Sequence, residues 1–322
     1  MPTLPPPPPA HVQPAPAPDR EVAFAGFNGV ALKGALRPGG AHPWFVVMVA
    51  DSGPTDRNGS TKLVPKATHA LRDWAAWLQQ RGLGSLRFDK RYVGVWDPKM
   101  DISLAAQAGD VRAAVTFARR QPEARGKRIL VLGHGEGALL ALVAATDAEG
   151  LLLVAPPAAS MGRMVRDQVG RQLAASGADE ATTAANLGHL DQVFEAIRRG
   201  EEAPVAAPAV APGVVRLGQG LLAGAQRPFV RDTLDLDPWL MAARFPGPLA
   251  ALWGAQDALC PKPSPLPAFR GAVLEIPDAN HLLKRETRDS RGLSGFAVLD
   301  TFGDDTPLAD LTPLEAWLKD LR

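Results

Sequence analysis

A glycine-spaced turn stands where an enzyme nucleophile could. Arg128-Ile-Leu-Val-Leu-Gly133-His134-Gly135-Glu136-Gly137-Ala138-Leu139-Leu140-Ala141-Leu142 passes from an apolar run through dense glycine into an alanine- and leucine-rich segment. This is the pattern of a strand-to-helix elbow. In an elbow of the form G-x-S-x-G, the central serine sits on a strained turn that exposes its oxygen above a sheet. Here the centre is Gly135, and Gly133 and Gly137 keep side chains out of the close strand-to-helix approach. Glycine has no side-chain atom beyond hydrogen, so no acyl-enzyme can form at position 135.

Serine-type acyl transfer needs a nucleophile, a histidine that takes its proton, and a carboxylate that fixes the histidine's tautomer. In one sheet architecture these follow the chain order nucleophile, acid, histidine, each at the C-terminal end of a strand. Position 135, Asp257 and His281 have that order: Asp257 follows the apolar run Leu249-Ala-Ala-Leu-Trp253, and His281 follows Ala272-Val-Leu-Glu-Ile276. Cys260 lies near the acid, but a lone cysteine reads as packing. His69 and His134 read as packing or helix-surface residues, and Ser52 and Ser60 as capping or turn residues.

The elements that must hold these groups alternate along the chain. Val22 to Phe24 and Val30 to Leu36 predict a hairpin about Asn28-Gly29. Trp44 to Ala50 is a continuous apolar run, as in a strand covered on both faces, and it ends in the polar loop Asp51-Ser-Gly-Pro-Thr-Asp-Arg57. Helices are predicted over 69–80, 103–119 and 137–145, with strands over 85–88, 129–132 and 151–154. This alternation implies a mostly parallel sheet with helices on both faces. From 158 to about 245 no strand is evident. Met161, Val165, Val169 and Leu173 form one helical stripe, and Leu187, Leu190, Phe194 and Ile197 a second. A helical cap over 158–245, with Glu202 to Pro212 as an internal linker, therefore divides the sheet unit into 20–157 and 246–322. Residues 284–310 read as irregular and 311–321 as a closing helix.

Composition limits the functions. The 322 residues are 46% hydrophobic, enough to bury a core, and 35 basic against 34 acidic residues leave a net charge of +1. That balance steers the chain towards neither nucleic acid nor an anionic membrane, so the expected partner is a small, mostly apolar molecule. A single cysteine rules out an intramolecular disulfide and a zinc site built on several thiolates. No cofactor or metal is expected. Oligomeric state is not readable. Residues 1–19, with Pro5 to Pro9 and Pro14-Ala-Pro-Ala-Pro18, read as an extended, disordered tail. No apolar run approaches the roughly 20 residues of a membrane span, and no signal-peptide pattern is present. The chain as written thus reads as cytoplasmic. A proline/alanine lead of this kind also follows the cleavage site of exported bacterial enzymes, which leaves a periplasmic or secreted location open.

With Gly133 to Gly137, Asp257 and His281 in this order, the sequence resembles the α/β-hydrolase superfamily, specifically the bacterial esterase-like group whose elbow reads G-H-S-E-G. Two further stretches carry the resemblance: Asp51-Ser-Gly-Pro-Thr-Asp-Arg57 against a G-S-G-P-x-D-R loop, and Asn280-His-Leu-Leu-Lys284 against an N-H-L-L-K segment. It runs from about Glu21 to the C-terminus. It implies an eight-stranded α/β fold with a helical cap and carboxylic-ester hydrolysis, with Asp257 as acid and His281 as general base. It also implies an oxyanion hole formed by the N–H of Glu136 and an N–H near Ser52 or Gly53, with Asp56 and Arg57 shaping the loop beneath. Tyr92 stands where relatives have glycine, which predicts a narrower pocket.

Gly135 leaves three readings: a serine esterase disarmed at its nucleophile, a binding module that retains the pocket, or slow hydrolysis by a water in the vacated oxygen site activated by His281.

Overall fold

The computed structural model describes residues 18–321 apart from 63, 96, 98, 267, 290–292 and 294. The predicted proline-rich tail falls outside the described residues as far as residue 17. Asp19, which the sequence reading placed in that tail, is part of the fold: its carboxylate bonds the buried Arg87 and lies 2.7 Å from Arg37 Nε. Its pKa is accordingly held down to about 2, against the upward push of burial, by those two guanidinium groups.

Strands β1 (Arg20–Ala25) and β2 (Ala31–Arg37) pair antiparallel. Their turn uses Asn28 at φ 56° and Gly29 at φ 76°, the positive-φ region that asparagine and glycine tolerate best. β3 (Trp44–Val49), β4 (Gly84–Phe88), β5 (Arg128–His134), β6 (Gly150–Val154), β7 (Leu249–Gly254) and β8 (Ala272–Ile276) complete one sheet in the order β1-β2-β4-β3-β5-β6-β7-β8. β2 meets β4 antiparallel, and every pairing from β4 to β8 is parallel. The expected eight-stranded, mostly parallel sheet with helices on both faces is the observed one.

Both faces of β3 are buried, as its unbroken apolar run requires. Phe45, Val47 and Val49 pack with α2 (Leu104–Arg119), through Val111 and Val115, and with α3 (Glu136–Val143), through Leu140. Trp44, Val46 and Met48 face the other way, onto Leu71, Trp74 and Leu78 of α1 (Ala70–Gln79) and Leu314 and Leu318 of α9 (Thr312–Asp320). The two alternate sets therefore fix β3 in register, because a slip of one residue would exchange them. That register delivers residue 51 to the C-terminal edge of the sheet.

Between β6 and β7 lie α4 (Met161–Ala175), α5 (Glu180–Arg199), α6 (Pro212–Leu222), α7 (Arg227–Thr233) and α8 (Pro238–Arg244). The predicted stripes meet in a separate apolar cluster that includes Val169, Leu173, Leu190, Phe194 and Ile197. α8 differs from the cap assignment. Trp239 stacks on Trp253 of β7 at 5.9 Å, and its Nε1 donates to the Ala158 carbonyl at 3.0 Å, so this helix packs on the sheet. Its amphipathic pattern could not show which of two apolar surfaces it would cover.

Candidate active site

The elbow forms where β5 runs into α3. Gly135 takes φ 54° and ψ −119°, a combination strained for any residue with a Cβ, and its N–H donates to the Val154 carbonyl at 2.9 Å. A Cβ on Gly137 would stand 2.6 Å from the Ala50 carbonyl oxygen, so α3 starts this close to β3 only because residue 137 is glycine. The first helical N–H, that of Glu136, then points over the edge of the sheet with no intrahelical partner.

The Asp51 carboxylate fills the space above Gly135. Its Oδ1 accepts from the backbone N–H of Ser52 at 2.6 Å and of Glu136 at 2.9 Å, and its Oδ2 lies 3.0 Å from His281 Nε2. His281 Nδ1 lies 2.8 Å from Asp257 Oδ2, and Asp257 Oδ1 accepts from Leu259 N at 2.9 Å and Cys260 N at 2.8 Å. The result is a line from Asp257 through His281 to Asp51, ending on two backbone donors.

Each member is held from behind. The loop after β8 is pinned by Asn280, whose Oδ1 accepts from Leu282 N and Lys284 N. The His281 carbonyl accepts from His134 Nε2 at 2.9 Å, which places the proton of His134 on that nitrogen. Asp56 Oδ1 accepts from Asn58 N and Ser60 N, closing the turn after Asp51. Arg57 bonds Asp89, Glu21 and the Gly34 carbonyl and so anchors that turn to the sheet.

The charges follow from this packing. Burial opposes a proton on His281, but Asp257 and Asp51 on either side override it and push its pKa up to about 10. His281 is therefore an imidazolium at neutral pH. Burial alone would raise Asp51 and Asp257; the hydrogen bonds and positive charge of His281 instead hold both below the usual carboxylate range. His134 is pushed down by its burial and by the charge on His281. Burial, with Asp257 and Asp51 nearby, raises the Cys260 thiol to about 12, and its Sγ donates to the Pro156 carbonyl at 3.4 Å, so it carries no thiolate.

Asp51, His134 and His281 each present a donor atom within 4.8 Å of the others, the spacing of a loose metal cluster. These groups are already engaged: both Asp51 oxygens and both His281 nitrogens are hydrogen-bonded, and His134 turns an N–H towards His281. A cation would have to displace that network.

A cleft of about 300 Å³ opens on this edge, with Asp51, Gly135 and His281 on its floor and Met161, Met164, Phe229, Leu236 and Leu259 on its walls. The Asp51 side chain keeps 26% of its surface open to it.

The structure thus brings Gly135, Asp257, His281, Glu136 and Ser52 together, and Ser52 rather than Gly53 supplies the second N–H. Tyr92 hydrogen-bonds Lys90, whose Nζ is 2.6 Å from Glu136 Oε1, and it is not among the residues that line the cleft. The water of the third reading has no site, because the Asp51 carboxylate occupies it.

Asp51 is the residue that sequence reasoning missed. The signal was present: Asp51 stands where the G-S-G-P loop begins with glycine, and Gly135 where the elbow has serine. The two departures are sterically one. A Cβ at position 135 would lie 2.9 Å from Asp51 Oδ2 and closer still to Oδ1 and Cγ.

No family model matches the chain. Among curated proteins it is similar to the polyketide transferase ATR5 of Stachybotrys chlorohalonatus, 34% identical over 127 residues, which are 39% of each chain. It is also similar to the esterase EstD of Thermotoga maritima, 25% identical over 256 residues, 77% of this chain and 54% of that one. The chain thus spans about half or less of the length of these relatives. Among solved structures, the α/β hydrolase GrgF from Penicillium matches with a TM-score of 0.52 at 20% identity, covering 83% of this chain and 92% of that one. DcsB, in complex with its substrate analogue, matches with a TM-score of 0.52 at 16% identity, covering 94% and 100%.

Proposed function

From the α/β-hydrolase fold that this chain has, we propose that it is a hydrolase of small, mostly apolar molecules whose reacting group is the Asp51 carboxylate, with His281 and Asp257 completing the site. The observation that carries this reading is the seat of Asp51: over the elbow, on two backbone N–H groups, and within hydrogen-bond reach of His281. The same donors that stabilise an oxyanion in acyl transfer here orient one carboxylate oxygen and leave the other beside the histidine. Carboxylates act as nucleophiles in covalent catalysis when held in this way.

Asp257 fixes the ring of His281 and keeps its Nε2 directed at Asp51. While Asp51 is charged, His281 holds a proton; once Asp51 is neutralised by bond formation, one of the two carboxylates that raise the His281 pKa is lost. Nε2 can then give up its proton and act as a base towards water. Hydrolysis of a carboxylic ester through a serine acyl-enzyme is not available to this chain, so any ester turnover it shows is expected to be weak.

One observation favours a second reading, a non-catalytic pocket for an apolar ligand: an imidazolium closed between two carboxylates is a satisfied ion network that needs no substrate. Turnover of a panel of short esters and alkyl electrophiles by the native protein beside Asp51→Asn separates the two. Activity that disappears in Asp51→Asn supports the hydrolase, whereas a folded, ligand-binding protein with no turnover on any member refutes it.

A further inference from the structure

We propose that the cleft over Asp51 binds an organic ammonium ion, a primary or secondary amine in its charged form whose short apolar body lies along the cleft walls. This goes beyond the hydrolase reading, because it rests on the seat and charge of Asp51 and not on whether that carboxylate reacts.

Three observations select a cation that carries N–H groups. The first is charge. Asp257 and Asp51 flank a single imidazolium, His281, and the neighbouring Glu136 is paired with Lys90 at 2.6 Å. One negative charge is left over, and Asp51 shows it to the cleft, where its side chain keeps 26% of its surface open. No lysine or arginine is among the described residues that line the cleft, so no further cationic side chain offsets that charge. The second is hydrogen bonding. A carboxylate offers about four lone-pair positions. Asp51 Oδ1 uses two on the N–H groups of Ser52 and Glu136, and Oδ2 uses one on His281 Nε2. The fourth has no donor among the described residues. The side-chain donors that border the cleft are already engaged: His281 Nε2 with Asp51, the Thr233 hydroxyl with the Phe229 carbonyl at 2.8 Å, and the Cys260 thiol with the Pro156 carbonyl at 3.4 Å. The Ser52 hydroxyl also borders the cleft, and it can accept as readily as it donates. The third is the wall of Met161, Met164, Phe229, Leu236 and Leu259, which suits an apolar body and offers no partner to a second charge.

The bound ammonium extends an alternating row: Asp257, His281, Asp51 and ligand, in turn negative, positive, negative and positive. No proton changes hands. Asp51 stays ionised, since His281 and the backbone N–H of Glu136 hold it below the usual carboxylate range, and the amine keeps its charge. The imidazolium does not exclude the ligand, because its own charge is taken up by the carboxylates on either side. An alcohol of the same length can also donate to Oδ2, but it leaves the surplus charge unpaired as it displaces water from the cleft. A hydrogen bond between two charged groups is roughly twice as strong as one between neutral groups, which makes the amine bind about tenfold or more tightly than the alcohol. A carboxylate ligand meets Asp51 charge against charge.

The test titrates the full chain with hexylamine, 1-hexanol and hexanoate at neutral pH in a calorimeter. Hexylamine should bind about tenfold or more tightly than 1-hexanol, and hexanoate should not bind. Nuclear Overhauser contacts from the hexyl chain to the ε-methyl groups of Met161 and Met164 should place the amine in the cleft. Asp51→Asn, which keeps the walls and removes the charge, should bring hexylamine down to the affinity of 1-hexanol. The ranking of the three ligands and the methionine contacts need no variant to fold. Equal affinity for amine and alcohol, tightest binding of hexanoate, an amine preference that survives Asp51→Asn, or no contact with Met161 and Met164 overturns the inference. Asp51-dependent turnover without a preference for the amine removes this inference and leaves the hydrolase reading standing. Selective amine binding by a chain that turns over no substrate does the reverse.

Discussion

Restoring serine to the elbow should not restore an esterase unless Asp51 is removed as well. At position 135 any Cβ falls within 3 Å of the Asp51 carboxylate, so Gly135→Ser must drive that carboxylate from its seat. The seat consists of two backbone N–H bonds and one to His281, all made to a charged group. At about 1.5–3 kcal/mol for each such bond, eviction costs on the order of 5–9 kcal/mol. The serine must also adopt φ 54° and ψ −119°, a further cost of about 1–3 kcal/mol. Asp51→Gly with Gly135→Ser avoids the first cost and bears only the second, and it opens both N–H donors to a substrate oxygen. Thermal unfolding should therefore place Gly135→Ser well below the double variant, at about 2–4 °C for each kcal/mol in a domain approaching this size. A fluorophosphonate label and short-chain nitrophenyl esters should report a reactive serine in the double variant and little or none in the single one. A single variant that is as stable as the native chain, takes the label and matches the double variant in turnover would refute the steric coupling of residues 51 and 135.

Four further outcomes follow from the same geometry. The folded His281 pKa, about 10, is raised above its ordinary 6.5, so the stability linked to the His281 proton is fully present below about pH 6.5 and lost as pH rises through about 10. Urea unfolding should thus show a stability that declines between pH 7 and pH 10.5, and Asp51→Asn should flatten the decline. Asp257→Asn should preserve the fold but free the His281 ring, lowering turnover by about 10³–10⁴-fold, as when the acid of a triad is neutralised. Lys90→Met leaves Glu136 without its cation at the start of α3; with Glu136 partly open to solvent, a loss of about 3 kcal/mol is expected by chemical denaturation, the low end for a broken buried pair. Trp239→Ala removes the buried ring that stacks on Trp253 and should cost about 3–5 kcal/mol in the same assay.

The fold was legible because its signals are local and redundant. Trp44 to Val49 is apolar on both faces, Asn28-Gly29 marks a turn by its positive φ, and the glycines at 133 and 137 announce a close approach. The order of Gly135, Asp257 and His281 after β5, β7 and β8 was legible for the same reason, since each follows a run of strand-forming residues. α8 was assigned to the cap because helical periodicity is indifferent to the surface that a helix covers. Asp51 is a different kind of miss. Taken singly, an aspartate in a polar loop is a turn former, and a glycine at the elbow is a lost nucleophile; each has a complete local explanation, and neither asks for the other. Only the register of β3 against β5, Val49 beside Gly133, places the two ends together and makes the glycine the space into which the carboxylate fits. The absence at Gly135 is therefore better understood as one half of an exchange: the side chain removed from the elbow admits a side chain from the neighbouring strand, which takes over its contacts with the histidine and the backbone donors. A random inactivating change at the elbow would leave those donors and Nε2 facing solvent. Here all three hydrogen-bond a single carboxylate, and that economy argues for a site whose reacting atom moved from one strand end to the next.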